Sequence, residues 1–209
     1  MKRGPTGVWL IKSGETAWDA DDRLYGGEDL PITEAGRSAT EESADRVVTF
    51  EQKHPRVIYH APDEAAEVTA EIIAKRISAK TRPIQEFSEP DLGVLTGLSI
   101  DELRERFERR ARQWEGDPTE LVPPEGESFL LARRRVVTAF AKVLKKSKDE
   151  VIGCVMHDFA GGFLRATLAE APSGNPRLWM AGRPRIEMWA LPEDAHDRLQ
   201  ELILQMPME

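Results

Sequence analysis

The sequence predicts an α/β protein, a three-layer α/β/α sandwich around a mostly parallel central sheet. Two observations carry this. Residues 8–12 (VWLIK) and 151–157 (VIGCVMH) are nearly all-apolar runs that end in polar turns, as strands covered on both faces do. Strand-like runs also alternate with segments of helical period along the whole chain. No internal repeat, low-complexity tract or dividing linker occurs, so residues 1–209 are expected to form one domain.

The elements follow in order. After the first strand, the acidic, glycine-containing stretch AWDADDRLYGGEDLP reads as loop. Thr33 then stands as an N-cap, with Glu34 in the first turn and Ala35, Ala39 and Val47 on a weak apolar stripe. RVIYH (56–60) is β-branched and aromatic, a second strand. Pro62 and Asp63 open a helix to about residue 77, with Val68, Ile72 and Ile73 inward. Past the loop EFSEPDLGVLTGLS, Ile100, Leu103, Phe107, Ala111 and Trp114 recur at steps of 3, 4, 4 and 3, one face of a single helix. Its other face is charged and reads as solvated. Ser128 caps a helix to about residue 146, and 151–157 is a central strand. A helix at about 162–169, an edge strand in RIEMWALP and a terminal helix in DAHDRLQELILQM complete the chain.

Composition narrows the function. Hydrophobic residues at 40% and charged residues at 32% are those of a soluble globular protein with a real core. A net charge of −8 argues against a general nucleic-acid binder. The one cysteine, Cys154, sits in an apolar run; it reads as a buried structural thiol and cannot form an internal disulfide. The basic opening MKRGPTG is not followed by a long apolar segment, and no stretch approaches a membrane span. A cytoplasmic protein with no membrane partner is expected. None of the four histidines has metal-ligand spacing to another, so neither metal nor cofactor is expected. IKSGE is not a P-loop, because its glycine follows the serine instead of preceding the lysine.

Three stretches end strands where such sheets bind ligands: IKSGET, IYHAPDEAAEVTA and VMHDFAGG. With DLPITEAG, FSEPDLG and PPEGES they occur in an order that resembles the histidine phosphatase superfamily, also called phosphoglycerate mutase-like. The run KSGETAWDADDRLYGGEDLPITEAG follows the family register without a gap, and the resemblance extends from about residue 8 to 168. It implies a phosphoglycerate mutase-like fold and phosphoryl transfer through a phosphohistidine. There, a histidine attacks phosphorus, cations hold the equatorial oxygens and an acid protonates the leaving group.

Carried over residue by residue, the nucleophile falls on Ser13 and the arginine before it on Lys12. The phosphate-binding asparagine falls on Asp19, and the second arginine on Ala65. Glu89 takes the place of the acid, His157 of the second histidine and Arg23 of the loop arginine. After His157 the family's Gly-Gly comes at once, whereas residues 158–160 precede Gly161 and Gly162 here; they read as a three-residue insertion.

Two arginines have thus become Lys12 alone and Asp19 adds a negative charge, a fall of two units beside a phosphate. One unit charge at about 4 Å is worth roughly 4 kcal/mol at an effective dielectric of about 20. The expectation is a degenerate member acting in binding or regulation. Its partner would be a weakly bound anionic or phosphorylated small ligand, or another protein met through Trp18 or Trp114. The alternatives are a hydrolase of changed chemistry using Ser13 and His157, or residual phosphomonoesterase activity. Lys12 is either a ligand-binding cation or a salt-bridged remnant with Asp19 as candidate partner. His60 stands where the family has serine and is a further candidate for the cleft.

Overall fold

A computed structural model describes residues 6–50, 53–147, 150–171, 175–180 and 185–207; the basic opening residues 1–5 lie outside them. The sheet has five strands: β1 (Gly7–Lys12), β2 (Val57–His60), β3 (Lys80–Pro83), β4 (Val151–Met156) and β5 (Ile186–Ala190). Their order is β3-β2-β4-β1-β5, with β5 alone antiparallel, on β1. β4 and β1 are central and buried almost throughout, which is why both read as unbroken apolar runs. β3 went unread because it is a short, mostly exposed edge strand of sequence KTRP, without apolar alternation.

The helices are α1 (Ala17–Ala20), α2 (Glu34–Val47), α3 (Glu64–Ile77), α4 (Ile100–Arg106), α5 (Glu108–Glu115), α6 (Phe129–Lys146), α7 (Asp158–Leu168) and α8 (Ala195–Gln205). α2 packs on α3, while α6 packs on α7 and α8, and the helices flank the sheet. α1 lies inside the stretch expected to be loop; the Thr16–Asp19 capping box supplies its first turn. α2 is capped by Thr33 as expected, but it buries Gly36, Thr40, Ala44 and Val47 while Ala35 is exposed. A Cβ at Gly36 would lie 2.6 Å from the Glu15 nitrogen, so glycine lets this helix meet the turn after β1. On α3, Ile73 is buried while Val68 and Ile72 are half-buried.

The helix expected over 100–114 is two helices. The chain breaks at Phe107 (φ −139°, ψ 51°), which ends α4 and begins α5. The break leaves Leu103, Ala111 and Trp114 facing one core, so the apolar spacing runs through it unchanged. Ion pairs from Arg104 to Asp101 and Glu115, and from Arg112 to Glu108, decorate the solvated face.

There are two cores. The larger lies about the sheet and includes Trp9, Ile11, Ile58, Phe140, Cys154 and Leu164. The second lies under α4 and α5, where Trp114, Phe129, Phe159 and Phe163 form an aromatic cluster with centroid separations of 4.8 to 6.4 Å. Among the described residues no helix is long and apolar enough to cross a membrane.

The residues after His157 show no insertion loop. His157 caps α7, and residues 158–160 form the first turn of a continuous helix. Phe159 and Phe163, one helical turn apart, anchor that turn in the aromatic cluster. The helix therefore begins four residues earlier than its glycine pair suggests.

Candidate functional site

β1 and β4 are parallel neighbours with Lys12 opposite Met156, and Ser13 N donates to the Met156 carbonyl at 2.9 Å. Ser13 and His157 are therefore the first residues past the ends of adjacent strands. The turn that carries Ser13 is tied on two sides. Gly14 N donates to Thr69 Oγ1 (2.8 Å), whose hydroxyl donates to the Ala65 carbonyl. Glu15 O accepts from Thr33 N, and Glu15 Oε1 accepts from the Thr33 hydroxyl. These bonds give the GET, TEAG and VTA stretches their physical sense: each holds the same turn.

Ser13 is 1% exposed and its Oγ has no hydrogen-bond partner. His157 does not serve it. His157 Nε2 lies 2.8 Å from Asp63 Oδ1, and both side chains are buried. Asp63 also caps α3 by accepting from Ala66 N (2.9 Å). Burial pushes the Asp63 carboxyl up, but the hydrogen bond from His157, its charge and the Ala66 N–H hold it below its usual value. Burial alone would lower His157, yet the Asp63 hydrogen bond and charge, with Glu89 and Asp19 behind them, hold the imidazole above its usual value. The carboxylate fixes the ring, but the Ser13 hydroxyl makes no hydrogen bond to it, so the pair does not activate Ser13 here. Tyr25 covers the ring, with centroids 4.4 Å apart.

Glu89 is buried and caps the start of α7. It accepts from Phe159 N (3.2 Å) and Ala160 N (3.0 Å). Burial pushes its carboxyl up to about 8, against the pull of His157 and of these two N–H groups. Near neutrality it is a largely protonated acid, the form a proton donor needs.

The charged residues resolve differently from expectation. Lys12 Nζ pairs with Asp158 Oδ2 at 2.8 Å, not with Asp19. Asp19 Oδ2 instead accepts from the nitrogen and hydroxyl of Thr16, both at 2.7 Å, in the cap of α1. Arg23 donates to the Gly97 carbonyl (2.8 Å) and lies 3.6 Å from Glu102. Ala65 is buried in the first turn of α3 and offers only a methyl group. His60 is buried, its Nδ1 donating to the Ala61 carbonyl at 2.8 Å. Trp114 belongs to the second core, and Trp18 packs over Gly97, whose φ is +77°.

Lys12, Asp19, Arg23, Tyr25, Glu89, Trp114, His157 and Asp158 border one cleft. Its outer part, about 780 Å³, sets Lys12, Arg23, Arg104, Arg177 and Arg185 among six carboxylates: Glu15, Asp19, Asp21, Asp22, Asp101 and Asp158. Its inner part, about 140 Å³, reaches Glu89 and His157 between Tyr25 and Trp114. The nearly balanced charges differ from the cationic cup that a phosphate dianion requires.

Asp63 was read as a helix opener and its contact with His157 was not anticipated. The partners are 94 residues apart, and only the proximity of β2 and β4 brings them together. Arg177 and Arg185 were also missed, since neither belongs to a motif. Arg185 donates to the Ser13 carbonyl at 3.1 Å.

Comparison with known proteins agrees with this geometry. The chain is 31% identical over 166 residues to a probable phosphoglycerate mutase GpmB of Citrobacter koseri, covering 79% of this chain and 76% of that protein. A probable phosphoglycerate mutase GpmB of Salmonella arizonae is 30% identical over the same shares of the two chains. Bacillus stearothermophilus YhfR shares the fold with a TM-score of 0.78 at 24% identity, over 90% of this chain and 92% of that one. A mycobacterial glucosyl-3-phosphoglycerate phosphatase does so with a TM-score of 0.72 at 22% identity, over 83% and 84%. Residues 8–184 match the histidine phosphatase superfamily (branch 1), and this chain belongs to that superfamily.

Proposed function

We propose that this chain keeps the histidine phosphatase frame but does not form a phosphohistidine, and that its cleft serves binding or regulation. The observation that carries this is Ser13: at the nucleophile position stands a buried hydroxyl with no partner. The lost cations support the same reading. Ala65 cannot hold an oxygen, and Lys12 is engaged by Asp158. The names of the relatives point to phosphoglycerate-type ligands; such a polyanion would meet six carboxylates as well as five cations in the outer cleft and be held weakly. A cytoplasmic setting fits the one reduced, buried thiol, Cys154.

Hydrolysis through Ser13 and His157 would need the hydroxyl to donate to an unprotonated ring. The hydroxyl makes no such bond. The test is turnover of a generic phosphomonoester and a carboxylester by the pure protein, beside Ser13→Ala and His157→Ala. The expected result is no turnover above background in any of the three. Turnover by the parent that both substitutions abolish would overturn the proposal.

A further inference from the structure

A second cavity, of about 520 Å³, lies at the other end of the sheet. Trp189, Ala190 and Leu191 border it, and Ala190 pairs with Gly7 at the start of β1, whereas Lys12 reaches the cleft from its far end. The six residues of β1 separate the two regions by about 20 Å. The cavity shares no lining residue with the cleft. The inference below therefore stands whether or not the cleft is catalytic.

About half of its wall is apolar, with Trp189, Leu191, Leu199 and Leu202 prominent. One side is set by Arg133 of α6. Among the described residues the Arg133 guanidinium approaches the Thr167 hydroxyl alone, with Nε and Nη2 both at 3.4 Å. That hydroxyl donates to the Phe163 carbonyl at 2.8 Å, so it accepts from Arg133. Among the described residues no carboxylate lies within ion-pair distance of Arg133. Burial lowers its pKa, the mark of a cation short of compensation. The other arginine at the cavity, Arg198, is already engaged by Asp194 (2.9 Å) and Glu170 (3.1 Å).

A guanidinium with five donors and two long contacts, facing an apolar wall in a cavity of ligand size, is a half-built recognition site. Its fork matches one carboxylate in bidentate geometry. A dianion would suit it less, because Glu170 and the exposed Glu201 also border the cavity and Arg133 is the one cation not already paired there.

We propose that this cavity binds a small amphipathic carboxylate, with its carboxylate on Arg133 and its apolar body against Trp189, Leu199 and Leu202. Both halves of the ligand are required. The charge alone would stay hydrated, and the body alone would leave the guanidinium without an anion.

The test is isothermal titration of the full chain with octanoate, beside octanol (the same body without charge) and acetate (the charge without the body). Saturable one-to-one binding is expected for octanoate alone. Arg133→Gln should weaken it by about tenfold or more. Leu202→Trp, which fills the cavity from a half-buried position and leaves the guanidinium in place, should weaken it similarly. Thermal unfolding of both variants confirms that each is folded. Octanol binding as tightly as octanoate, the absence of saturable octanoate binding, or unchanged affinity in either folded variant would overturn the proposal.

Discussion

The two walls of the cleft have fared differently. On the His157 wall the polar side chains are linked to one another and to the fold: His157 with Asp63, Asp63 with the start of α3, Glu89 with the start of α7. On the Ser13 wall the backbone is held as firmly, but the side chains are not joined in the same way. The Ser13 hydroxyl is unpartnered, Ala65 is a methyl group in a helix, and Lys12 is tied to Asp158. A turn can therefore be fixed by its backbone bonds whatever its side chains do. The His157 wall is built into the fold. Asp63 caps one helix and Glu89 another, so both carboxylates are structural as well as chemical.

This difference makes the walls respond unequally to substitution. The largest effect is expected at Asp63. Asp63→Ala leaves the buried His157 without its carboxylate and α3 without its cap, and should cost about 3–5 kcal/mol in urea unfolding. A loss under about 1 kcal/mol would mean that the pair is not the keystone of this wall.

Next comes Glu89, through pH. Its folded pKa of about 8 exceeds the ordinary 4.5, so the folded state holds the extra proton between these values and stability falls as pH rises across them. His157, raised above 6.5, contributes stability that is full below 6.5 and lost as pH rises through its folded value. Asp63, lowered from 3.8, contributes stability present above 3.8 and lost as pH falls through its folded value. Glu89 and His157 make the protein less stable at about pH 8 than at about pH 5.5, while the Asp63 contribution is fully present at both. Glu89→Gln removes one source of that slope and should gain on the order of 1 kcal/mol over the parent at about pH 8, with little change at about pH 5. Urea midpoints at the two pH values check this; an unchanged slope would place the titration elsewhere.

The smallest effect is expected on the emptied wall. Ser13→Ala removes an unsatisfied buried hydroxyl and should leave stability unchanged or raise it by up to about 1 kcal/mol. A loss above about 1 kcal/mol would show that the hydroxyl has a partner after all.

Much of the frame was legible in the sequence, for reasons that particular elements make plain. β1 and β4 are buried on both faces, so their composition alone marks them. Thr33, Asp63 and Ser128 are residue types that accept from first-turn N–H groups, and each caps its helix in that way. Periodicity misled at Phe107, because two short helices that share a core keep the spacing of one. At residues 158–160 the glycine pair suggested an insertion, while Phe159 decided that the stretch is helix. In the cleft, the altered positions could be identified by motif, but not the new partners. The Asp63–His157 and Lys12–Asp158 pairs span 94 and 146 residues, and no local pattern encodes them.

The central claim is that no residue at these strand ends accepts a phosphoryl group. The most direct measurement is the intact mass of the protein after incubation with excess p-nitrophenyl phosphate and rapid acid-free quenching, which preserves phosphohistidine as well as phosphoserine. The account predicts the unmodified mass at every time point. One added phosphoryl group, mapped to Ser13 or His157, would contradict it.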